Sequence, residues 1–154
     1  MERKQVEEII SSRKSVRSFS NDKVELEDIA TIVNCGLKAP CARGIHAGHI
    51  YSFIKGEAKY NRLVKYASDE TGRDPFYGGN VILVVAMDPS SLYPDLDGAA
   101  IIENMLLAAS MLGLGACWIN SPRKFLNEHP NYKTELGIDT NNKVIASIVV
   151  SHKA

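Results

Sequence analysis

Arg13, Lys14 and Arg17 put three cations into five positions, inside the run SSRKSVRSFS at residues 11–20. Arg13, Ser15 and Arg17 are spaced two apart, so in an extended segment their side chains share one face. Two guanidinium forks and a hydroxyl on one face suit an oxyanion, because Arg grips it through paired charge-assisted hydrogen bonds. A terminal phosphate is the expected guest. The same cations could instead complement the dipole of a helix that stops near Ser12. Spacing alone leaves both readings open.

Other reactive side chains give weaker signals. Cys41, His46 and His49 are potential metal ligands, but their spacing matches no strong zinc pattern and a fourth ligand is missing. Cys41 as a nucleophile would need a general base that sequence cannot place. The three cysteines, Cys35, Cys41 and Cys117, form no CxxC pair and read as reduced thiols. Trp118 could stack on a flat ring, although a lone Trp after a buried helix is usually core. Asp95 and Asp97 are expected to cap a central helix. Glu103 and Asn104 interrupt that helix and should find polar partners.

The 154 residues carry 18 basic and 18 acidic side chains and 45% apolar residues. That length suits a single domain spanning 1–154. A charge balance near zero gives no support to nucleic-acid binding. MERKQVEEII lacks the apolar stretch of a signal peptide. The longest apolar region, near residues 99–112, is short of the roughly 20 residues a bilayer needs. A cytoplasmic location without membrane attachment is therefore expected.

The elements that must position these residues follow from periodicity. Val6, Ile9 and Ile10 mark a short amphipathic helix up to about Ser12, and Val24 to Lys38 a second one. APCARGIHAG is an irregular loop. HIYSFIK is a strand, Glu57 to Ser68 a helix, and DETGRDPFYGG a surface loop. NVILVVAM is a continuous β-branched run, as in a strand buried on both faces. Asp97 to Leu112 is apolar nearly all round, so it should be central or lie at a subunit interface. GLGACWIN turns into a short extended segment, Asn131 to Leu136 forms a short helix, and KVIASIVVSHK is a last strand. Helices before the first strand and no GxGxxG argue for an α+β or three-layer fold over a parallel doubly wound one.

Three blocks in this order resemble the nitroreductase-like FMN-dependent flavoproteins: SRKSVRSF, APCARGIHAGHIYSF and DGAAIIENMLLAASMLGLGACWI. The resemblance implies an α+β fold, a mixed, mainly antiparallel sheet flanked by helices as a three-layer sandwich, in an intertwined homodimer with FMN at the subunit interface. It places Arg13, Lys14 and Ser15 at the FMN phosphate and ribityl chain, with Lys153 completing the phosphate site. Arg17 would reach the pyrimidine edge, where reduction deposits charge. Cys117, Trp118, Ile119, Asn120 and Ser121 would pass the ring, with a backbone N–H there, such as that of Ser121, toward N5. Pro40, Cys41, Ala42 and Gly44 would cover it from the other subunit.

The chain departs from the family pattern at Cys41 for Ser, Gly44 for Asn, His46 for Gln and Ala47 for Pro. The link DPSSLYPDL is short where longer members insert helices, which implies a more open pocket. The activity implied is NAD(P)H oxidation by ping-pong hydride transfer through flavin N5, with NADH or NADPH as reductant. A nitroaromatic, quinone or similar small molecule would be the electron acceptor. The alternatives are a non-catalytic flavin-binding dimer and a specialised chemistry such as dehalogenation or ring dehydrogenation.

Overall fold

The computed structural model describes residues 1–154. Its elements are α1 (Arg3–Ser12), α2 (Leu26–Leu37), a 3-10 turn (Ala42–Gly44), β1 (Gly48–Ile54), α3 (Ala58–Thr71), β2 (Val81–Met87), α4 (Pro94–Met111), β3 (Gly115–Ile119), α5 (Pro122–Glu128), α6 (Pro130–Leu136) and β4 (Lys143–Ser151).

The sheet has the order β1-β2-β4-β3, and every ladder is antiparallel. One parallel pairing exists beside it, the bridge from Ser15 to Ala116. β2 is apolar throughout because both its faces are covered. Val81, Leu83, Val85 and Met87 pack with Ile32 of α2 and with Ile102 and Met105 of α4. Ile82, Val84 and Ala86 pack with Leu63 of α3, Phe125 of α5 and Leu136 of α6. The result is the expected α+β sandwich of three layers.

Two expectations change, and one element is added. α4 begins at Pro94, whose fixed φ suits a first helical position, so Asp95 and Asp97 lie inside its first turn and cap nothing. Asp95 instead meets Arg123 and Lys143, each at 3.0 Å, and their hydrogen bonds, Arg123's first, hold its carboxyl below the usual range. Residues 122–128, to which the sequence pattern assigns no element, form α5. Its seven residues show too little of a helical repeat to reveal a stripe, yet Phe125 and Leu126 are buried. α3 runs on through Thr71 and closes on Gly72, at φ 82°. The other helices and strands lie within a few residues of their expected bounds. Asn104 finds its partner as expected, donating from Nδ2 to the Cys35 carbonyl at 3.0 Å.

The N-terminal segment docks on the edge strand β3, and the C-terminal end pairs with that segment. The Val16 N–H donates to the Ala116 carbonyl at 2.9 Å. The Ser20 N–H donates to His152 O, and the Ala154 N–H donates to Ser18 O. Phe19 and Lys153 form an antiparallel bridge between these contacts. No helix is long and apolar enough to cross a membrane.

Candidate functional site

α1 stops where Arg13 turns extended, at φ −64° and ψ 125°. The following residues run along β3 and open a cleft of about 200 Å³. Arg13, Lys14 and Lys153 line it, over an apolar wall that includes Val16, Leu106 and Ala116. Glu103 Oε1 stands 3.9 Å from Arg13 Nε and partly offsets its charge. Ser15 and Arg17 are exposed and lie outside this cleft, so the shared face expected for Arg13, Ser15 and Arg17 does not form around it. His152, next to Lys153, has its Nε2 3.2 Å from the Lys23 carbonyl.

A second cleft, of about 250 Å³, gathers Trp118, Ile119, Asn120 and Ser121 with Thr71, Arg73 and Tyr77. Cys117 is not among them. It is buried, and its Sγ lies 3.7 Å from the Trp118 carbonyl. Trp118 is 38% exposed, so it forms a wall rather than core. Ser121 carries two polar groups without protein partners. Its Oγ is buried and unbonded, and its N–H has no backbone acceptor. Buried polar groups are normally satisfied, so the Oγ points to a bound partner.

Thr71, Arg73 and Tyr77 were not foreseen. Their only trace in the sequence is a cation and an aromatic within DETGRDPFYGG. Asp74 organises that loop by accepting the Phe76 N–H at 2.8 Å and the Gly78 N–H at 3.0 Å. Tyr77 is held in the left-handed region at φ 55°, and the Arg73 guanidinium lies 5.5 Å from its ring centroid.

The loop of Pro40, Cys41, Ala42 and Gly44 lines neither cleft. Pro40 and Cys41 border a separate cavity of about 30 Å³ with His46 and Asp97. Asp97 holds this loop to α4: its Oδ1 accepts the Ala42 N–H at 3.1 Å. Gly44 takes φ 67° and Arg43 φ 54°. The metal candidates do not converge, because His49 Nε2 meets Asp88 Oδ2 at 2.9 Å while His46 faces Cys41. Hydrogen bonds from Ser90 and then His49 draw the exposed Asp88 carboxyl down to about 2.

The same three-layer arrangement is present in solved flavoproteins. A crystal structure of a nitroreductase with bound FMN from Bacteroides fragilis is 26% identical, with a TM-score of 0.86, covering 97% of this chain and 89% of its own. A structure provisionally named a nitroreductase, in complex with FMN, from Desulfovibrio desulfuricans has a TM-score of 0.82 over 97% of this chain and 86% of its own; at 24% identity that likeness is one of fold.

Residues 10–73 and 52–152 match the Nitroreductase family, and the chain belongs to it. A protein of Archaeoglobus fulgidus, provisionally named an NADH dehydrogenase/NAD(P)H nitroreductase, is 32% identical over 116 residues. That match covers 72% of this chain and 64% of the relative's length.

Proposed function

We propose that the chain is a single FMN-binding domain of a homodimeric NAD(P)H oxidoreductase of the nitroreductase type. The main support is the convergence of Arg13, Lys14 and Lys153, from opposite ends of the chain, on one cleft. Three cations of flexible and forked kind suit a dianionic phosphate, which Arg holds through paired bonds and Lys as a point charge. The unpartnered Ser121 Oγ and N–H suit the polar edge of a flat ring, and exposed Trp118 suits its surface. The residues present therefore fit FMN. FMN, when bound, supplies two-electron hydride exchange from NADH or NADPH to a nitroaromatic, quinone or similar acceptor, taken in turn. The protein's own task is binding, orientation and charge stabilisation.

Within this reading Arg13, Lys14 and Lys153 hold the phosphate, with Ser15 beside them. Arg17 offers a fixed cation to the pyrimidine edge. Pro40, Cys41, Ala42 and Gly44 serve the partner subunit, in keeping with their separation from both clefts. Half-exposed Val6 and Ile10, on a helix with no buried residue, and exposed Leu96 and Met111 supply apolar surface for the dimer.

The decisive experiment is the visible spectrum of purified protein before and after anaerobic NAD(P)H. A flavin spectrum that bleaches supports the oxidoreductase. A bound flavin that NAD(P)H leaves oxidised favours a non-catalytic flavin-binding dimer. Failure to bind FMN on reconstitution rejects both.

A further inference from the structure

We infer that Arg73 makes the Trp118 cleft selective for flat aromatic acceptors that carry a carboxylate. This rests on the oxidoreductase reading above and names the acceptor class for it. The cleft of about 250 Å³ draws on three parts of the chain: the end of α3, the loop that follows it, and the end of β3 with the turn after it. In that reading Ser121 and Trp118 meet the flavin. Thr71, Arg73 and Tyr77 come from the other segment and are left for the molecule that is reduced.

Arg73 is the cleft's one cation, and no carboxylate lines it. Acidic residues surround Arg73 in the sequence, yet each is engaged elsewhere. Asp69 Oδ2 meets Lys65 Nζ at 3.0 Å, and Glu70 Oε1 meets His129 Nε2 at 3.3 Å. Asp74 spends both carboxylate oxygens on the Phe76 and Gly78 N–H groups of its own loop. Arg73 is left without an ion-pair partner and lies over the Tyr77 ring. A bulky residue seldom adopts the left-handed backbone that Tyr77 holds, and here that turn sets the ring beneath the guanidinium.

An unneutralised guanidinium beside aromatic surface suits a planar anion. Its fork grips a carboxylate through paired charge-assisted hydrogen bonds, and the exposed Trp118 offers a face to the ring. Asn120 adds a donor. Its Oδ1 lies 3.5 Å from Trp118 Nε1, which leaves its Nδ2 without a protein acceptor. A neutral acceptor of the same shape gains nothing from Arg73. With a nitroarene, one nitro group, two NAD(P)H and two protons give one hydroxylamine, one water and two NAD(P)+, and the carboxylate is unchanged.

The test compares 4-nitrobenzoate with 4-nitrobenzamide, which has the same shape without the charge. Rates per bound FMN give kcat/KM for each, and the benzoate-to-benzamide ratio, compared between parent and variant, cancels their intrinsic reactivities. Arg73→Gln should lower that ratio about tenfold, mainly through KM, and Arg73→Lys should restore part of it. Added salt should lower the ratio in the parent. Trp118 is the only tryptophan, so its fluorescence reads binding without turnover. Benzoate should bind the parent about tenfold more tightly than it binds Arg73→Gln. An equal ratio and equal benzoate affinity in parent and Arg73→Gln would mark a merely solvated arginine and overturn the inference. So would a loss confined to NADPH against NADH, which would assign the cation to the reductant's ribose phosphate. A parent flavin that NAD(P)H leaves oxidised overturns the oxidoreductase reading and the acceptor claim together, a result distinct from an unchanged ratio in an enzyme that turns over.

Discussion

Gly115 and Val16 leave no room between them: a Cβ on Gly115 would stand 2.8 Å from Val16 Cγ1 and 3.2 Å from Lys153 Cγ. Both neighbours line the basic cleft. Val16 and Lys153 approach β3 this closely because position 115 has no side chain. Gly115→Val should therefore push Val16 and Lys153 outward. Overpacking of this kind costs roughly 1–3 kcal/mol. If about half of that falls on the cleft, FMN affinity drops on the order of twofold to tenfold. Flavin fluorescence titration of the apoprotein measures this, and an affinity equal to the parent's would detach Gly115 from the cleft.

Asp97 is 6% exposed and accepts the Ala42 N–H at 3.1 Å and the Ser91 Oγ–H at 3.3 Å. Asp97→Ala leaves that loop amide without its acceptor. An orphaned donor costs roughly 1–3 kcal/mol. Asp97→Asn keeps an acceptor oxygen and should lose less. Urea unfolding should rank the parent first, Asn second and Ala last. Equal midpoints for Ala and the parent would show that water replaces the carboxylate at no cost.

Much of the fold was legible, and for a physical reason. β2 is buried on both faces and α4 is apolar nearly all round, so NVILVVAM and the helix after it carry their place in the fold in their composition. The cation run stood out by its spacing and the resemblance named Lys153 as its distant partner, and the structure brings Arg13, Lys14 and Lys153 to one cleft. What brings them together was not legible. The bridge between Phe19 and Lys153 joins the two ends of the chain, and no local pattern announces such a contact. Tyr77 in left-handed backbone and Asp74 folding its own loop depend on geometry that composition does not carry. Asp97 was misread as a cap because its type fits a cap, while Pro94 three residues earlier starts the helix.

Lys133 is buried in α6, and its Nζ donates to the Asn142 carbonyl at 2.6 Å. Burial pushes its pKa below the ordinary 10.5, and Asp139 opposes that in part. The sign follows from proton counting. Between the lowered folded value and 10.5 the unfolded chain holds a proton that the folded chain has released, so stability rises with pH across that window. Near neutral pH the charged ammonium is a net cost. Lys133→Met removes the charge and keeps the length. The variant should be the more stable near neutral pH, and its advantage should shrink as pH climbs toward 10.5. Paired urea midpoints across the alkaline range test this. A gap that widens with pH would reverse the sign and assign the ammonium a stabilising role.

Arg13 and Arg17 separate holding a flavin from tuning it. Arg13 lines the basic cleft with Lys14 and Lys153, whereas Arg17 is exposed and outside it. Phosphate carries the same charge in both redox states, so a contact with it shifts no redox equilibrium; a contact with charge that appears only on reduction does. Arg13→Ala should weaken FMN binding and leave the potential of the remaining bound flavin near that of the parent. Glu103→Gln, which removes the carboxylate 3.9 Å from Arg13, should tighten binding instead. Arg17→Ala should keep more flavin and lower its midpoint potential. A lost charge-assisted contact of about 1–3 kcal/mol corresponds to roughly 20–65 mV for a two-electron couple. Anaerobic titration against a reference dye measures both variants. An unchanged potential in Arg17→Ala, with full flavin occupancy, would reduce Arg17 to a solvated cation on the extended segment after α1 and leave Arg13, Lys14 and Lys153 as a phosphate grip alone.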